Sequence, residues 1–139
     1  MQAPVEQVFA FHERDDALAQ LSPPFPPLRV VSRQGGIRVG ARVDLRIGPV
    51  RWLAAHTDYR PNELFVDEQL AGPFTSRVHR HEFEPLGPRT TRLTDRVTFE
   101  LPGGPVVNAL FGRLVAWSLI PMFRFRHRAT RLACESSRL

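Results

Sequence analysis

From Phe65 to Phe83 the chain reads F-V-D-E-Q-L-A-G-P-F-T-S-R-V-H-R-H-E-F, in which Phe65, Asp67 and Gln69, and then His79, His81 and Phe83, recur at every second residue. A period of two places each set on one face of a strand. In the second run the alternate positions Arg80, Glu82 and Glu84 are charged. That face belongs in water, so the His79/His81/Phe83 face looks inward. A sheet that needed only a core would carry valines at these positions. An acid, an amide and two imidazoles there either line a cavity or form a buried hydrogen-bond network that satisfies itself. For Phe65 to Gln69, Leu64, Val66 and Leu70 make the opposite face an equal candidate for the inside.

The next run extends the pattern. After a turn over residues 85–89, Leu93, Val97, Phe99 and Leu101 face in while Arg92, Arg96 and Glu100 face out, and Asp95 falls among the inward residues. Antiparallel pairing across a tight turn predicts Asp95 opposite or diagonal to His79 and His81. Upstream, Val43, Leu45 and Ile47 alternate with charged residues, and Trp52, Ala54 and His56 share a strand face between Val50 and Tyr59. Gly35-Gly36, Gly48-Pro49, Pro61-Asn62 and Gly72-Pro73 mark the turns.

Helical signals flank these strands. Pro4 and Glu6 open a short helix whose Val5, Val8, Phe9 and His12 share a face, and a second short helix follows at about Asp15 to Leu21. The stretch Ser22 to Pro27, which carries the apolar Phe25, stops it. Beyond Pro102-Gly103-Gly104-Pro105, residues Val106 to about Ser137 predict a long helix disturbed at Pro121. Its first half is apolar almost all round and is expected to be covered on most sides, with Arg124 to Arg131 as a solvated end. The same helix offers an alternative, an apolar surface with a basic end suited to an anionic membrane or a protein partner. The order is two short helices, about six antiparallel strands and one long helix, in a single domain spanning 1–139.

Several function classes drop out. All 19 basic residues are arginine and the net charge is +5, but they scatter from Arg14 to Arg138 without a basic stripe, so no nucleic-acid partner is expected. One cysteine, Cys134, excludes an intrachain disulfide and suits a reducing cytoplasm. Residues 1–11 lack the pattern of a signal peptide, and no run approaches the roughly 18 consecutive apolar residues of a transmembrane segment. His79 and His81 stand about 7 Å apart along one strand face, and Asp95 could add a third ligand. No established ligand spacing supports a metal, and none is expected. The glycine pairs lack a phosphate-loop pattern, no cofactor is expected, and no activated nucleophile is present.

Four motifs then group the chain with known proteins: W-x-A-x-H-T-x-Y-x-P at Trp52 to Pro61, F-x-D-x-Q-x-x-G-P-F at Phe65 to Phe74, H-x-H-x-F at His79 to Phe83, and T-x-L-x-D-x-V at Thr91 to Val97. With A-P-x-E-x-V-F at the start, they resemble the START-like superfamily, also called SRPBCC, and within it the ligand-binding cyclase/dehydrase-like proteins. The resemblance covers nearly the whole chain. It implies an α+β helix-grip fold, a curved antiparallel sheet wrapped around the long C-terminal helix. Relatives carry a strand ahead of the A-P-x-E element, where only Met1 and Gln2 stand here. Either the chain as given begins downstream of that strand, or the sheet lacks it and exposes an edge, which predicts a homodimer or poor solubility.

The resemblance also implies a cavity between sheet and helix for a small hydrophobic molecule: a lipid, a quinone or a polyketide-like compound. The expected wall is Trp52, Phe65, Phe83, Phe99 and Trp117, and the expected polar lining is His56, Asp67, Gln69, His79, His81 and Asp95. A non-catalytic binding protein is the leading expectation. The alternatives are a cyclase, dehydrase or isomerase of aromatic-polyketide type, with His79 or His81 as general acid or base oriented by Asp95, and a lipid-surface or protein-partner module using the terminal helix.

Overall fold

A computed structural model of the protein describes residues 1–24 and 28–136. Phe25 and the expected helix end near Ser137 lie outside the described residues. Two short helices, α1 (Val5–Glu13) and α2 (Ala17–Leu21), precede six strands: β1 (Leu28–Gln34), β2 (Arg42–Ile47), β3 (Val50–Arg60), β4 (Leu64–Ala71), β5 (Ser76–Gly87) and β6 (Thr90–Glu100). The chain ends on α3 (Gly104–Glu135). The strands form one antiparallel sheet in the order β1-β2-β3-β4-β5-β6, so every neighbour in sequence is a neighbour in space. The α+β helix-grip class expected from the sequence is the class observed.

Pro4 stands just outside α1 as its N-cap, and Val5, Val8, Phe9 and His12 on one helical face are all buried. Phe9 is the centre of that packing. Its ring meets Phe83 at 5.0 Å, Tyr59 at 5.7 Å and Phe65 at 6.2 Å, each edge to face, an arrangement aromatic quadrupoles favour. Tyr59 reaches this cluster through a bulge. His56 pairs with Asp67 and Asp58 with Val66, so Thr57 is an extra residue in β3. The face that carries Ala54 and His56 is thereby handed on to Tyr59.

The last turns of α3 close the core from the other side. Cys134 is buried against α1, and the Gln7 side chain donates to the Cys134 carbonyl at 2.8 Å. The first half of α3 behaves otherwise. Val106, Leu110, Leu114 and Trp117 are exposed, Trp117 to 67%. The expectation of a helix covered on most sides is therefore corrected. Among the described residues no element lies over that half, because α3 is held to the sheet mainly through its later turns. The helix also runs through Pro121 without interruption. No long unbroken apolar run exists, yet an 18-residue window within α3 reaches a mean hydropathy of 1.5, apolar and long enough to cross a membrane by composition alone.

At one edge of the sheet, Thr91 exchanges backbone hydrogen bonds with Met1 at 2.7 and 2.9 Å. Its hydroxyl donates to the Ala3 carbonyl at 2.8 Å. Met1 thus pairs with the outer side of β6 near its start, and no strand among the described residues covers the rest of that side.

Candidate functional site

Between the strands β1 to β5 and the helices lies a cavity of about 180 Å³. Leu18 and Leu21 of α2, Leu28 of β1, Val43 and Leu45 of β2 and Trp52 of β3 make its apolar wall. At the other end it meets His12, His56, Asp67, Arg77, His79, His81 and Arg126. Four of the five histidines of the chain line this one space, and the fifth, His127, bonds to the network behind it.

The sheet register builds the polar end. Asp67 pairs with His79 across β4 and β5, and His81 with Asp95 across β5 and β6. His81 donates from Nε2 to Asp67 at 3.0 Å, and its Nδ1 lies 3.1 Å from the Asp95 carboxylate. His79 donates from Nε2 to Asp95 at 2.8 Å, while Arg77 donates to His79 Nδ1 at 3.3 Å. With one nitrogen giving and the other receiving, His79 is held as a neutral ring. Burial agrees and pushes its pKa down to about 3. His127 of α3 donates to the second oxygen of Asp95.

Burial works to raise the pKa of both carboxyls, but the imidazole hydrogen bonds and nearby positive charge win, and Asp67 and Asp95 lie well below the usual carboxylate range. Both are anions. Arg77 contacts Asp67 at 3.4 Å and lies over the Trp52 ring, 4.8 Å from its centre. His12 donates from Nδ1 to the Val8 carbonyl at 2.8 Å, and burial brings its pKa down to about 3. His56 is only 8% exposed, and its Nδ1 has no hydrogen-bond partner among the described residues. The loop before β2 positions it, because its backbone exchanges hydrogen bonds with Gly40 and Ala41 at 2.9 and 2.8 Å.

Of the residues anticipated on the cavity wall, Trp52, His56, Phe65, Asp67, His79 and His81 meet at this space. Asp95 lies behind the histidines. It and Phe99 face a wider open groove between β6 and α3. Three others lie elsewhere. Gln69 folds back on its own hairpin, donating to the Phe74 carbonyl at 2.6 Å. Phe83 packs in the aromatic core under α1, and Trp117 is on the exposed half of α3. Each departs from the wall because a nearer partner, or none, meets its face.

Asp67, His79 and His81 bring ligand atoms within 4.8 Å of one another, enough to surround a metal ion. The Arg77 guanidinium, however, already stands at 3.3 Å from His79 Nδ1 and 3.4 Å from Asp67. A fixed cation at those atoms opposes a second one.

Sequence reasoning missed His12, Arg77, Arg126 and His127. Arg77 carried a usable signal, since it continues the alternation of His79 and His81. His12 was on the buried face of α1 but could not be placed beside β5 without the fold. Arg126 and His127 sat among residues expected to be a solvated helix end.

The family described as polyketide cyclase / dehydrase and lipid transport matches residues 1–124. Among curated proteins no sequence matches this one. A protein of Thermus thermophilus shares the fold with a TM-score of 0.71 at 20% identity, over 100% of this chain and 94% of that one. A protein of Arthrobacter aurescens does so at 0.73 and 18%, over 98% and 82%. The Zhui aromatase/cyclase of Streptomyces sp. R1128 superposes at 0.62 and 15%, over 94% and 89%.

Proposed function

The chain belongs to the polyketide cyclase / dehydrase and lipid transport family, and from that premise we propose that it binds a small hydrophobic or amphipathic molecule in the cavity between α2 and the sheet. One observation carries this reading: an apolar wall ends on a buried network of two carboxylates, arginines and imidazoles. Affinity then comes from apolar burial, and orientation from the polar end.

The catalytic alternative fits less well. A general base needs a free lone pair, whereas His79 has both nitrogens engaged and His81 stands between Asp67 and Asp95. A second copy of the chain is the partner this reading includes, since no strand among the described residues pairs with the outer edge of β6 beyond Thr91.

Thermal unfolding with a neutral apolar probe, benzyl alcohol, tests the binding reading. At hundredfold excess over its Kd, the probe should raise Tm by about 9 °C. Ala54→Leu, which adds volume inside the wall, should reduce that gain. An unchanged Tm for benzyl alcohol and for larger neutral aromatics would count against the cavity as a binding site. Native mass spectrometry of freshly purified protein identifies any molecule that travels with it.

A further inference from the structure

Arg126 of α3 lines the cavity from a half-buried position, and its guanidinium makes no hydrogen bond or ion pair among the described residues. Arg77 has Asp67 at 3.4 Å. Arg33, at the same cavity, donates among the described residues to the carbonyls of Arg14 and Asp15, at 3.1 and 2.6 Å, which carry no net charge. The lining therefore holds three guanidinium groups against one carboxylate, Asp67. The formal charge of its lining is thus positive, and the unpartnered Nδ1 belongs to His56 on the same lining. Asp95 and Asp67 act on Arg126 only through space, so a guanidinium with no direct partner and a buried unsatisfied nitrogen on the same lining favour an anion that accepts hydrogen bonds.

Volume narrows the choice. A cavity of about 150 Å³ with apolar walls accepts benzene, whereas drug-sized ligands occupy about 300–1,000 Å³. The 180 Å³ here suits one substituted ring or a chain of about six to eight carbons. A sterol or an extended polyketide exceeds it.

We propose that the ligand is a small organic acid, an aromatic or medium-chain carboxylate, whose anionic head is received by Arg126, with His56 as a second polar group of the same lining, while its apolar part lies against Leu21, Leu28, Val43 and Trp52. The proposal rests on the binding reading above and adds the charge and size of the ligand. Arg126 gives the carboxylate a donor with fixed fork geometry, and the low polarity of the wall strengthens that contact. Neutral rings of equal size lose that contact.

The test compares benzoate with benzyl alcohol, and octanoate with 1-octanol, by isothermal titration calorimetry at pH 7 on the unaltered protein. The acids should bind about ten- to a hundredfold more tightly than the alcohols. Arg126→Met keeps the apolar stem and removes the charge, and should bring the two affinities together. His56→Phe should weaken acid binding alone. Alcohols binding as tightly as acids would overturn the proposal while leaving the cavity reading in place. Failure of all four probes would overturn both. If Arg126→Met does not fold, the ratio on the unaltered protein decides.

Discussion

His81 stands directly opposite Asp95 in the β5–β6 register, with its Nδ1 3.1 Å from the carboxylate. That pairing makes Asp95 the junction of the polar network, because the same carboxylate also receives His79 of the sheet and His127 of α3. One side chain thus ties the terminal helix to the floor of the cavity. Asp95 is an anion with its side chain 9% exposed, and its hydrogen-bonded imidazoles compensate the cost of burying it.

Replacing Asp95 by Asn keeps the shape and removes an acceptor, so one imidazole is left without its partner. Breaking a buried, hydrogen-bonded ionic group costs about 3–5 kcal/mol. Urea unfolding of Asp95→Asn should show a loss near the lower end of that range, as a shifted midpoint at unchanged slope. A change below about 1 kcal/mol would mean that the junction contributes little to holding the fold.

Much of this junction was legible in the sequence. The alternation of His79, His81 and Phe83 gave the face, and counting across the turn put Asp95 opposite His81, because hairpin register follows from local spacing. The strand order was legible for the same reason: all five pairings join consecutive strands. What was hidden depends on contacts distant in the chain. His127 and Asp95 stand on a helix and a strand whose relative placement no periodicity encodes. Trp117 misled in the opposite sense, since an apolar helix predicts burial only if something lies over it, and that half of α3 is uncovered. The bulge at Thr57, which moves Tyr59 to the α1 side, left no mark in the alternation.

The neutral histidines make stability depend on pH. In the unfolded chain an imidazole takes up a proton near pH 6.5, but burial keeps His12 and His79 neutral down to about 3. Between these values the unfolded state binds more protons, so stability is complete above about pH 7 and falls as pH drops, by up to about 1.4 kcal/mol per pH unit for each ring. Asp67 and Asp95, both depressed, add a loss in the same direction once pH passes below their unfolded value near 3.9. Urea midpoints at pH 7, 6, 5 and 4 should decline steadily, with a shallower slope in His12→Phe. A flat profile over that interval would contradict neutral, buried rings.

Cys134 should be inert in the folded protein. Burial raises its thiol pKa to about 11, so almost no thiolate is present at pH 7. Its reaction with an aromatic disulfide reagent at neutral pH should follow the rate of global unfolding and become fast in urea. Rapid labelling without denaturant would show that the α1–α3 contact opens on its own.

The open edge of β6 makes the last prediction specific to single backbone groups. Thr91 turns its N–H and C=O outward to Met1, and in a strand every second residue repeats that direction. Leu93, Asp95, Val97 and Phe99 therefore present their N–H groups to the free edge, while Glu100 turns its carbonyl inward to Thr75. If two copies pair along these edges, a proline at Val97 removes one donor of the contact and none of the β5–β6 ladder, which is the placement an edge strand tolerates. Sedimentation velocity at about 100 μM should find a dimer for the unaltered chain and a folded monomer for Val97→Pro. An unaltered chain that remains monomeric up to millimolar concentration would show that the edge does not pair in solution, and a dimer that persists in Val97→Pro would move the contact to the exposed apolar half of α3.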